Sequence, residues 1–319
     1  MRTEKLPRSG SHRQYSRAFL DDGGTIIRVE NDDVAENQCF VSFAEHFSAK
    51  GLNVPEILEV SEDGKSYTQT DLGEISLYDK LAAGRQSQYS AEDVECLEKT
   101  MRLLPKVQVV GARGLDWEKC LTPKRFDERS VMYDLNYFKY LFLRVHNVNF
   151  DEDALQDDME NLTRDLLKCA RKYEGFMYRD FQARNVMWYK NEPYLIDFQG
   201  GRRGPLHYDV ASFVMQASAH YPEDLKARLV GVYLDELQKY VKVDEAEFRS
   251  QLKLFYLFRT LQVLGAYGLR GKVEGKKYFL DSIPAALENL KKLSDDGVLE
   301  AYPELKGLIR HIWCCLPGR

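Results

Sequence analysis

The chain of 319 residues is 44% hydrophobic and 30% charged, with a formal net charge of -5 and a pI near 5.8. These proportions are ordinary for a globular protein, and the acidic balance argues against nucleic acid or an anionic membrane as the main partner. No run approaches the roughly 20 apolar residues of a bilayer span, and the six cysteines form no C-x-x-C pair. The basic N-terminus has no apolar core, so we expect a cytoplasmic protein with reduced thiols.

The N-terminal part of the chain has the pattern of a β-rich segment. β-Branched and aromatic runs are separated by turn signals such as the D-D-G-G run 21–24, and one longer stretch has the spacing of an amphipathic helix. Gly51 stands where that helix is expected to end. The predicted elements are the strands 14–20, 25–29, 54–60 and 66–70 and the helix 34–50.

After Gly73 the periodicity changes from strand-like to helical. This change predicts a boundary between a β-rich lobe, 1–72, and a helical lobe, 73–319. Thr70 and Leu72 lie at this connector. The predicted helices are 76–81, 91–110, 126–146, 151–173, 222–240, 245–270, 278–293 and 304–312.

Residues 126–146 are rich in aromatic side chains, with Asp134 and Asn136 interleaved. Two interpretations stay open for them. They form a core helix, or their polar residues line the site of a sugar-like acceptor, since such pockets combine flat apolar walls with hydrogen-bonding groups. The helix 245–270 is apolar nearly all round, which predicts that it is buried.

The most informative stretch is 175–213. It contains Arg179-Asp180, then Asn185 five positions after the aspartate, and then the apolar run 194–196 that leads into Asp197 and a phenylalanine. The order R-D-x-x-x-x-N, strand, D-F is the sequence form of a kinase catalytic loop followed by a metal-binding loop. Each dipeptide alone carries little weight, whereas the ordered set with this spacing is specific.

Phosphoryl transfer explains why these residue types occur together. Mg²⁺, which accompanies a nucleoside triphosphate, takes a few hard oxygen ligands from protein and keeps several waters. Asn185 and Asp197 are therefore the predicted metal ligands, and Asp180 is the predicted catalytic base that orients the acceptor hydroxyl and takes its proton. The structural alternative makes Asp180 a cap or turn residue, Asn185 a turn residue and Asp197 part of a strand exit.

A loop of small side chains is expected over the phosphates. Ser9, Gly10 and Ser11 would let backbone N–H groups approach phosphate oxygens. The tip of a surface hairpin has the same composition, so this stretch alone does not decide between the two.

A cation is also expected at the phosphates. The strand 25–29 carries Arg28 and no lysine, and Arg13 or Arg17 could fill the role instead. Glu36, at the start of the first predicted helix, either pairs with that cation or favours the helix N-terminus as a negative charge.

The chain resembles the aminoglycoside phosphotransferase family of small-molecule kinases. The resemblance implies a protein-kinase-like α+β fold, with a small antiparallel-β lobe, 1–72, that binds the nucleotide and a larger mostly α-helical lobe, 73–319. It also implies ATP and Mg²⁺ as cofactors, with the adenine ring in the crevice at the connector, bonded to backbone near Thr70 and Leu72. Two features depart from the pattern: Tyr178 stands where the catalytic loop usually has histidine, and the strand lysine is missing. The segments that carry the resemblance are 10–17, 70–73, 179–199 and 258–265.

Within that family the chain is most similar to the anomeric kinases of N-acetylmuramate and N-acetylglucosamine. We therefore expect a small-molecule partner whose sugar hydroxyl receives the γ-phosphoryl group. The alternative acceptor is an aminoglycoside, choline or another amine alcohol, and the pair Arg202-Arg203 favours an anionic acceptor over these cations. The alternative from another class is a pseudokinase that binds nucleotide and acts through a partner.

Overall fold

The computed structural model describes residues 2–6 and 13–315. The chain divides into two compact units, each built from segments that are distant in sequence. The predicted boundary between residues 72 and 73 lies inside the first unit, so the two-lobe division stays a prediction. Unit 1 comprises Met1–Lys124, Phe176–Arg203 and Gly231–Val241, and unit 2 comprises Arg125–Gly175, Gly204–Val230 and Lys242–Arg319.

The described residues form nine β-strands, of which the first five make one sheet. The sheet has the order β1-β2-β3-β5-β4 with antiparallel neighbours, while β6 pairs with β9 and β7 pairs with β8. The strands are β1 (Arg2–Lys5), β2 (Gln14–Phe19), β3 (Thr25–Glu30), β4 (Ile57–Val60), β5 (Ser66–Thr70), β6 (Glu174–Met177), β7 (Val186–Tyr189), β8 (Glu192–Leu195) and β9 (Arg202–Pro205).

The α-helices lie mostly where the sequence predicts them, and the α+β class is confirmed. Three stretches continue as π-helix, at Lys106–Gly111, Lys139–Arg144 and Gly268–Val273. The α-helices of the described part are α1 (Val34–Ala49), α2 (Leu77–Lys80), α3 (Ala82–Gln86), α4 (Ala91–Pro105), α5 (Glu128–Phe138), α6 (Glu152–Ala170), α7 (His207–Val214), α8 (Glu223–Leu237), α9 (Glu245–Tyr267), α10 (Lys277–Asp295) and α11 (Pro303–Cys315).

Local capping explains where the first helices begin and end. The Asp33 carboxylate accepts a hydrogen bond from the Glu36 backbone N–H at the start of α1, and Gly51 follows the helix with a φ of 68°. A side chain would be strained in that left-handed conformation, which glycine adopts freely. Ser90 and Asp93 form a reciprocal capping box at the start of α4.

The alternation of β3 decides which side chains face the interior of unit 1. Val29 pairs with Tyr15 of β2 on one side and with Tyr67 of β5 on the other. Ile27 and Val29 are buried, whereas Arg28 between them is exposed. Because successive side chains of a strand point to opposite faces, Arg28 lies on the outer face of the sheet.

Helix α9 is the buried spine of unit 2. It carries buried side chains on several faces, including those of Phe248, Phe255 and Arg259, and this confirms the predicted burial. The fully buried ring of His207 stacks on Phe248 and Phe255 at centroid distances of 3.9 and 4.9 Å. Across the described helices, none is both long and apolar enough to cross a membrane.

The buried His207 predicts an acid-dependent loss of stability. Burial lowers the pKa of His207 to about 3, whereas a histidine in the unfolded chain titrates near ~6.5. The stability is therefore complete above the unfolded pKa and decreases as the pH falls towards the folded pKa. At pH 5 the unfolding free energy should be lower by about 2 kcal/mol than at pH 7 from this group alone.

Urea unfolding at both pH values measures the effect. His207→Phe keeps a flat ring between the two phenylalanines and should flatten the pH dependence by this amount. An unchanged difference between pH 7 and pH 5 in the variant would contradict the assignment.

Candidate active site

The backbone brings the catalytic-loop and metal-loop segments together within unit 1. The loop 178–185 follows β6, and the hairpin β7–β8 returns the chain to Asp197. The N–H of Ile196 donates to the carbonyl of Asn185 at 3.1 Å, so the two loops share a backbone hydrogen bond. The predicted site residues 180, 185 and 197 all lie in this unit.

Asn185 joins the two loops through its side chain. Its Nδ2 donates to the carbonyl oxygen of Asp180 at 2.9 Å and lies 3.4 Å from Oδ2 of Asp197. Nε2 of Gln199 donates to the other carboxylate oxygen, Oδ1, at 2.8 Å. The Asp180 side chain is exposed. The structure thus brings an amide and a carboxylate together and leaves a second carboxylate on the same loop open to solvent.

Two site residues have left-handed backbone conformations. Arg179 has a φ of 79° and Asp197 a φ of 66°. Such conformations cost about 1–3 kcal/mol in a non-glycine residue and persist where the surroundings fix them, often at functional sites. Here the buried Tyr178 hydroxyl donates to the carbonyl of Ile196, and the Phe198 ring stacks on Phe40 at 4.7 Å. Tyr178 therefore fixes the metal loop directly.

The electrostatic environment of Asp197 favours cation binding. Burial raises the pKa of Asp197, donation by Gln199 lowers it, and the nearby Asp180 carboxylate raises it again. The side chain still keeps 41% of its surface accessible. A carboxylate in this setting gains from a divalent cation, which offsets both the lost hydration and the repulsion from Asp180.

The donor set fits Mg²⁺ but not a metal held by protein alone. Oxygen atoms of Asn185 and Asp197 are hard ligands from two adjacent loops, and Mg²⁺ commonly takes one or two such groups plus phosphate oxygens and waters. In the part of the chain that the structure describes, no cluster of three or more His, Cys, Asp or Glu side chains could hold a metal ion. Phosphate oxygens would have to complete the coordination.

A cleft of about 730 Å³ in unit 1 ends at these residues. Its volume is in the range of small-molecule sites. The polar part of the cleft is lined by Tyr15, Gln199 and the two predicted metal ligands. At the connector the cleft is lined by Thr70 and Leu72. The apolar part of the lining consists of Leu6, Ile27, Phe40, Leu72, Met187 and Ile196.

The connector is fixed to the sheet by Arg17 of β2. Its Nε donates to Oδ2 of Asp71 at 2.5 Å, its Nη2 donates to the carbonyl of Gly73 at 3.2 Å, and its Nη1 bonds the Glu74 carboxylate. The side chains of Arg17 and Asp71 are only 9% and 5% exposed. Burial raises the pKa of Asp71. Donation by Arg17 and by the Gly73 N–H lowers this pKa by more than burial raises it, so the net shift is downward.

The predicted nucleotide-binding residues lie in different places. Thr70 and Leu72 line the cleft, as do both predicted metal ligands. Arg28 pairs with Glu30 at 3.1 Å on the outer face of the sheet and is absent from the cleft lining. Glu36 is hydrogen-bonded to Arg13 and to Asn31. The predicted phosphate-covering residues Ser9, Gly10 and Ser11 lie outside the described residues.

Sequence reasoning missed Gln199 and Tyr15. The amide of Gln199 follows Asp197 by two residues, a spacing that could have indicated a local hydrogen bond to the carboxylate. Tyr15 lines the cleft and accepts a hydrogen bond from Arg13 at 3.2 Å. Its role depends on the pairing of β2 with β3, which residue types alone do not reveal.

A catalytic loop, a carboxylate–amide pair and a nucleotide-sized cleft together define a phosphotransferase of the kinase type. Residues 3–248 match the family described as "Phosphotransferase enzyme family". This protein belongs to that family, and the predicted enzyme class is confirmed.

Two relatives share one name. The chain is 25% identical over 293 residues to the N-acetylmuramate/N-acetylglucosamine kinase of Neisseria meningitidis serogroup B, which covers 88% of this chain and 82% of that protein. It is 24% identical over 297 residues to the Pseudomonas aeruginosa protein of that name, with coverages of 88% and 81%.

Solved kinase structures share the fold. A choline kinase from Cryptosporidium parvum matches with a TM-score of 0.63 at 14% identity, covering 97% of this chain and 93% of that one. An amicoumacin kinase bound to AMP-PNP and Ca²⁺ matches with a TM-score of 0.61 at 10% identity, with coverages of 92% and 88%. These likenesses confirm the protein-kinase-like α+β fold.

The clamp on the connector, formed by Arg17 with Asp71, Gly73 and Glu74, gives a prediction about stability. Arg17→Met leaves the buried Asp71 carboxylate without its cation, and we expect an unfolding free energy lower by about 3 kcal/mol. The double variant Arg17→Met/Asp71→Asn should recover part of this loss. Arg249→Met, which breaks only the exposed pair with Glu245, should change stability by less than about 0.5 kcal/mol. Equal urea midpoints for Arg17→Met and wild type would contradict the clamp.

Proposed function

We propose that this protein is an ATP- and Mg²⁺-dependent kinase that transfers the γ-phosphoryl group to a hydroxyl of an amino sugar, at its anomeric position. The observation that carries the proposal is the side-chain contact of Asn185 with Asp197 at 3.4 Å at the end of the cleft. The amide also holds the catalytic loop through the Asp180 carbonyl. In this proposal, Asn185 and Asp197 hold the metal, and the exposed Asp180 on the same loop as Asn185 is the base.

In this proposal the donor nucleotide lies with its base at the connector and its phosphates at Asn185 and Asp197. Its flat apolar base suits the part lined by Ile27, Leu72 and Met187, with connector backbone at Thr70 and Leu72 available for hydrogen bonds. Its phosphates then reach the polar part at Asn185 and Asp197. Mg²⁺ bound there would neutralise phosphate charge. The amicoumacin kinase, which shares the fold, binds a nucleotide and a divalent cation, in agreement with this choice of cofactors.

The chemical role of this chain is to hold the reacting groups and to move one proton. Asp180 accepts the proton of the acceptor hydroxyl while the hydroxyl oxygen forms a bond to the γ-phosphorus. The bond from that phosphorus to the bridging oxygen breaks, and ADP leaves. Asn185 keeps the Asp180 loop in place through the 2.9 Å hydrogen bond to its carbonyl.

An amino sugar is the favoured acceptor because both curated relatives carry that specificity in their names. The proposed preference for an anionic acceptor concerns the pair Arg202 and Arg203. Arg202 is buried and its guanidinium lies 3.4 Å from the carbonyl of Gly200, so it serves the metal loop. Arg203 is exposed and lies over the Trp117 ring at 5.3 Å. A flat ring with an adjacent cation suits a sugar acid.

Removal of the proposed base should separate chemistry from binding. Asp180→Asn keeps the shape of the side chain but cannot take a proton, so kcat should fall by about 10²–10⁴-fold while the KM for ATP stays within about twofold. Coupled ADP release measures both constants. Asp22→Asn, an exposed aspartate in the turn between β2 and β3, is the matched control. Wild-type turnover in Asp180→Asn would refute the assigned role.

The acceptor is tested by product chemistry. With N-acetylmuramate or N-acetylglucosamine, ADP release should match the loss of reducing ends, because a phosphate on the anomeric oxygen blocks ring opening. A phosphate at another hydroxyl would leave the reducing end intact and overturn the anomeric assignment. Turnover with choline, ethanolamine or an aminoglycoside instead would support the alternative acceptors. Nucleotide binding without turnover of any of them would support the pseudokinase.

A further inference from the structure

A buried cation, Arg13, connects three elements of unit 1. The residue immediately precedes β2 and is 2% exposed. Its Nη2 donates to Oε1 of Glu36 on α1, and its Nη1 donates to the Tyr15 hydroxyl at 3.2 Å. The same Nη1 lies 3.6 Å from Oδ1 of Asp197. Nε of Arg13 has no hydrogen-bond partner among the described residues.

The ion pair with Asp197 leaves room for a metal. At 3.6 Å the guanidinium attracts the carboxylate without taking a short hydrogen bond. Oδ1 receives its hydrogen bond from Gln199, and Oδ2 lies beside Asn185. Arg13 is buried and does not belong to the lining of the cleft. It therefore contacts the Asp197 carboxylate from the protein interior and not from the cleft.

Helix α1 gives Arg13 a fixed anchor. Phe40 stacks on Phe198 with an interplanar angle of 7°, and the Cys39 thiol donates to the Gln199 carbonyl at 3.3 Å. These contacts lie one turn after Glu36 and pack the helix on the metal loop. Glu36, which is also held by Asn31 at 2.8 Å, is thereby fixed relative to Asp197.

Strand β3 cannot supply an equivalent cation. Its inward-facing side chains are Ile27 and Val29, and Arg28 points outward to Glu30. Burial of a guanidinium is unfavourable unless its partners compensate for the lost hydration. The partners of Arg13 are an anchor on α1 and the carboxylate at the end of the cleft, and this combination distinguishes it from Arg17, which holds the connector.

We propose that Arg13 is a positioning residue that sets the orientation of Asp197 for the donor's metal, with Glu36 as its anchor. The inference rests on the proposed function, since it concerns the metal of the same reaction. It differs from the sequence-based choice of Arg28 because the cation comes from the start of β2 and acts through a ligand.

The test is the Mg²⁺ concentration for half-maximal activity at saturating ATP and acceptor. Residues that orient metal ligands typically contribute about 10–100-fold to metal affinity or activity. Arg13→Met should raise the half-activation concentration by at least about tenfold, while the KM for the acceptor stays within about twofold. Arg13→Lys should recover part of the loss, because lysine restores the positive charge but lacks the planar set of N–H donors of a guanidinium.

Folding is controlled separately. Arg13→Met leaves Glu36 without its cation, so the double variant Arg13→Met/Glu36→Gln provides a folded protein without either charge. The thermal midpoint is measured for each variant. A shifted half-activation concentration in the double variant, at a near-native midpoint, is the expected result.

Two outcomes would overturn the inference. Variants of Arg13 with lowered stability but wild-type Mg²⁺ activation would make it a purely structural residue. A large rise of the half-activation concentration in Arg28→Met, with none in Arg13→Met, would return the role to β3. Absence of Mg²⁺-dependent ATP turnover in the wild type would instead defeat the proposed function, so the two failures are distinguishable.

Discussion

The geometry of the candidate site depends on holding one carboxylate, Asp197, in a left-handed backbone conformation. A non-glycine residue does not stay in this conformation unless its neighbours fix it. Here the fixing groups come from every side: the Tyr178 hydroxyl on the preceding carbonyl, the Phe198 ring in the aromatic cluster of α1, and Gln199 on the carboxylate. One strained position therefore lies where the proposed metal and phosphates would meet.

The same principle explains the connector. A cleft for a flat base needs walls that stay a fixed distance apart, and side-chain packing alone does not fix a loop of this kind. Arg17 reaches from β2 to two acidic side chains and one carbonyl of the segment 71–74. Two buried arginines, Arg13 just before β2 and Arg17 within it, thus tie that strand to the metal loop and to the connector.

Local patterns predicted the elements well, because periodicity and capping are properties of neighbouring residues. The predicted helix 34–50 and the predicted strands 14–20 and 25–29 appear as α1 and as the antiparallel pair β2 and β3. Strand β1 was not predicted, because Arg2–Lys5 is an exposed charged edge strand without apolar alternation. Helix α7 was also missed, since it is short and buried throughout.

The spacing of Asp180, Asn185 and Asp197 indicated which residues converge, because short loops and a tight hairpin leave few alternatives. The choice of cation was harder. Three arginines of similar chemistry stand within 16 residues in the sequence 13–28, and only strand register and burial separate them. Arg28 lies outward by the period of two, Arg17 is held by the connector, and Arg13 reaches the metal loop.

Binding of Mn²⁺, a spectroscopic substitute for Mg²⁺, in the presence of a non-hydrolysable ATP analogue is the most direct test of the proposed roles. It shows whether Asp197 binds the metal and Asp180 does not. Electron paramagnetic resonance titration of the wild type should reveal a nucleotide-dependent Mn²⁺ site. Asp197→Asn should weaken this site by at least about tenfold, and Asp180→Asn should leave it within about twofold of the wild type. An unchanged site in Asp197→Asn, or its loss in Asp180→Asn alone, would contradict this division of roles.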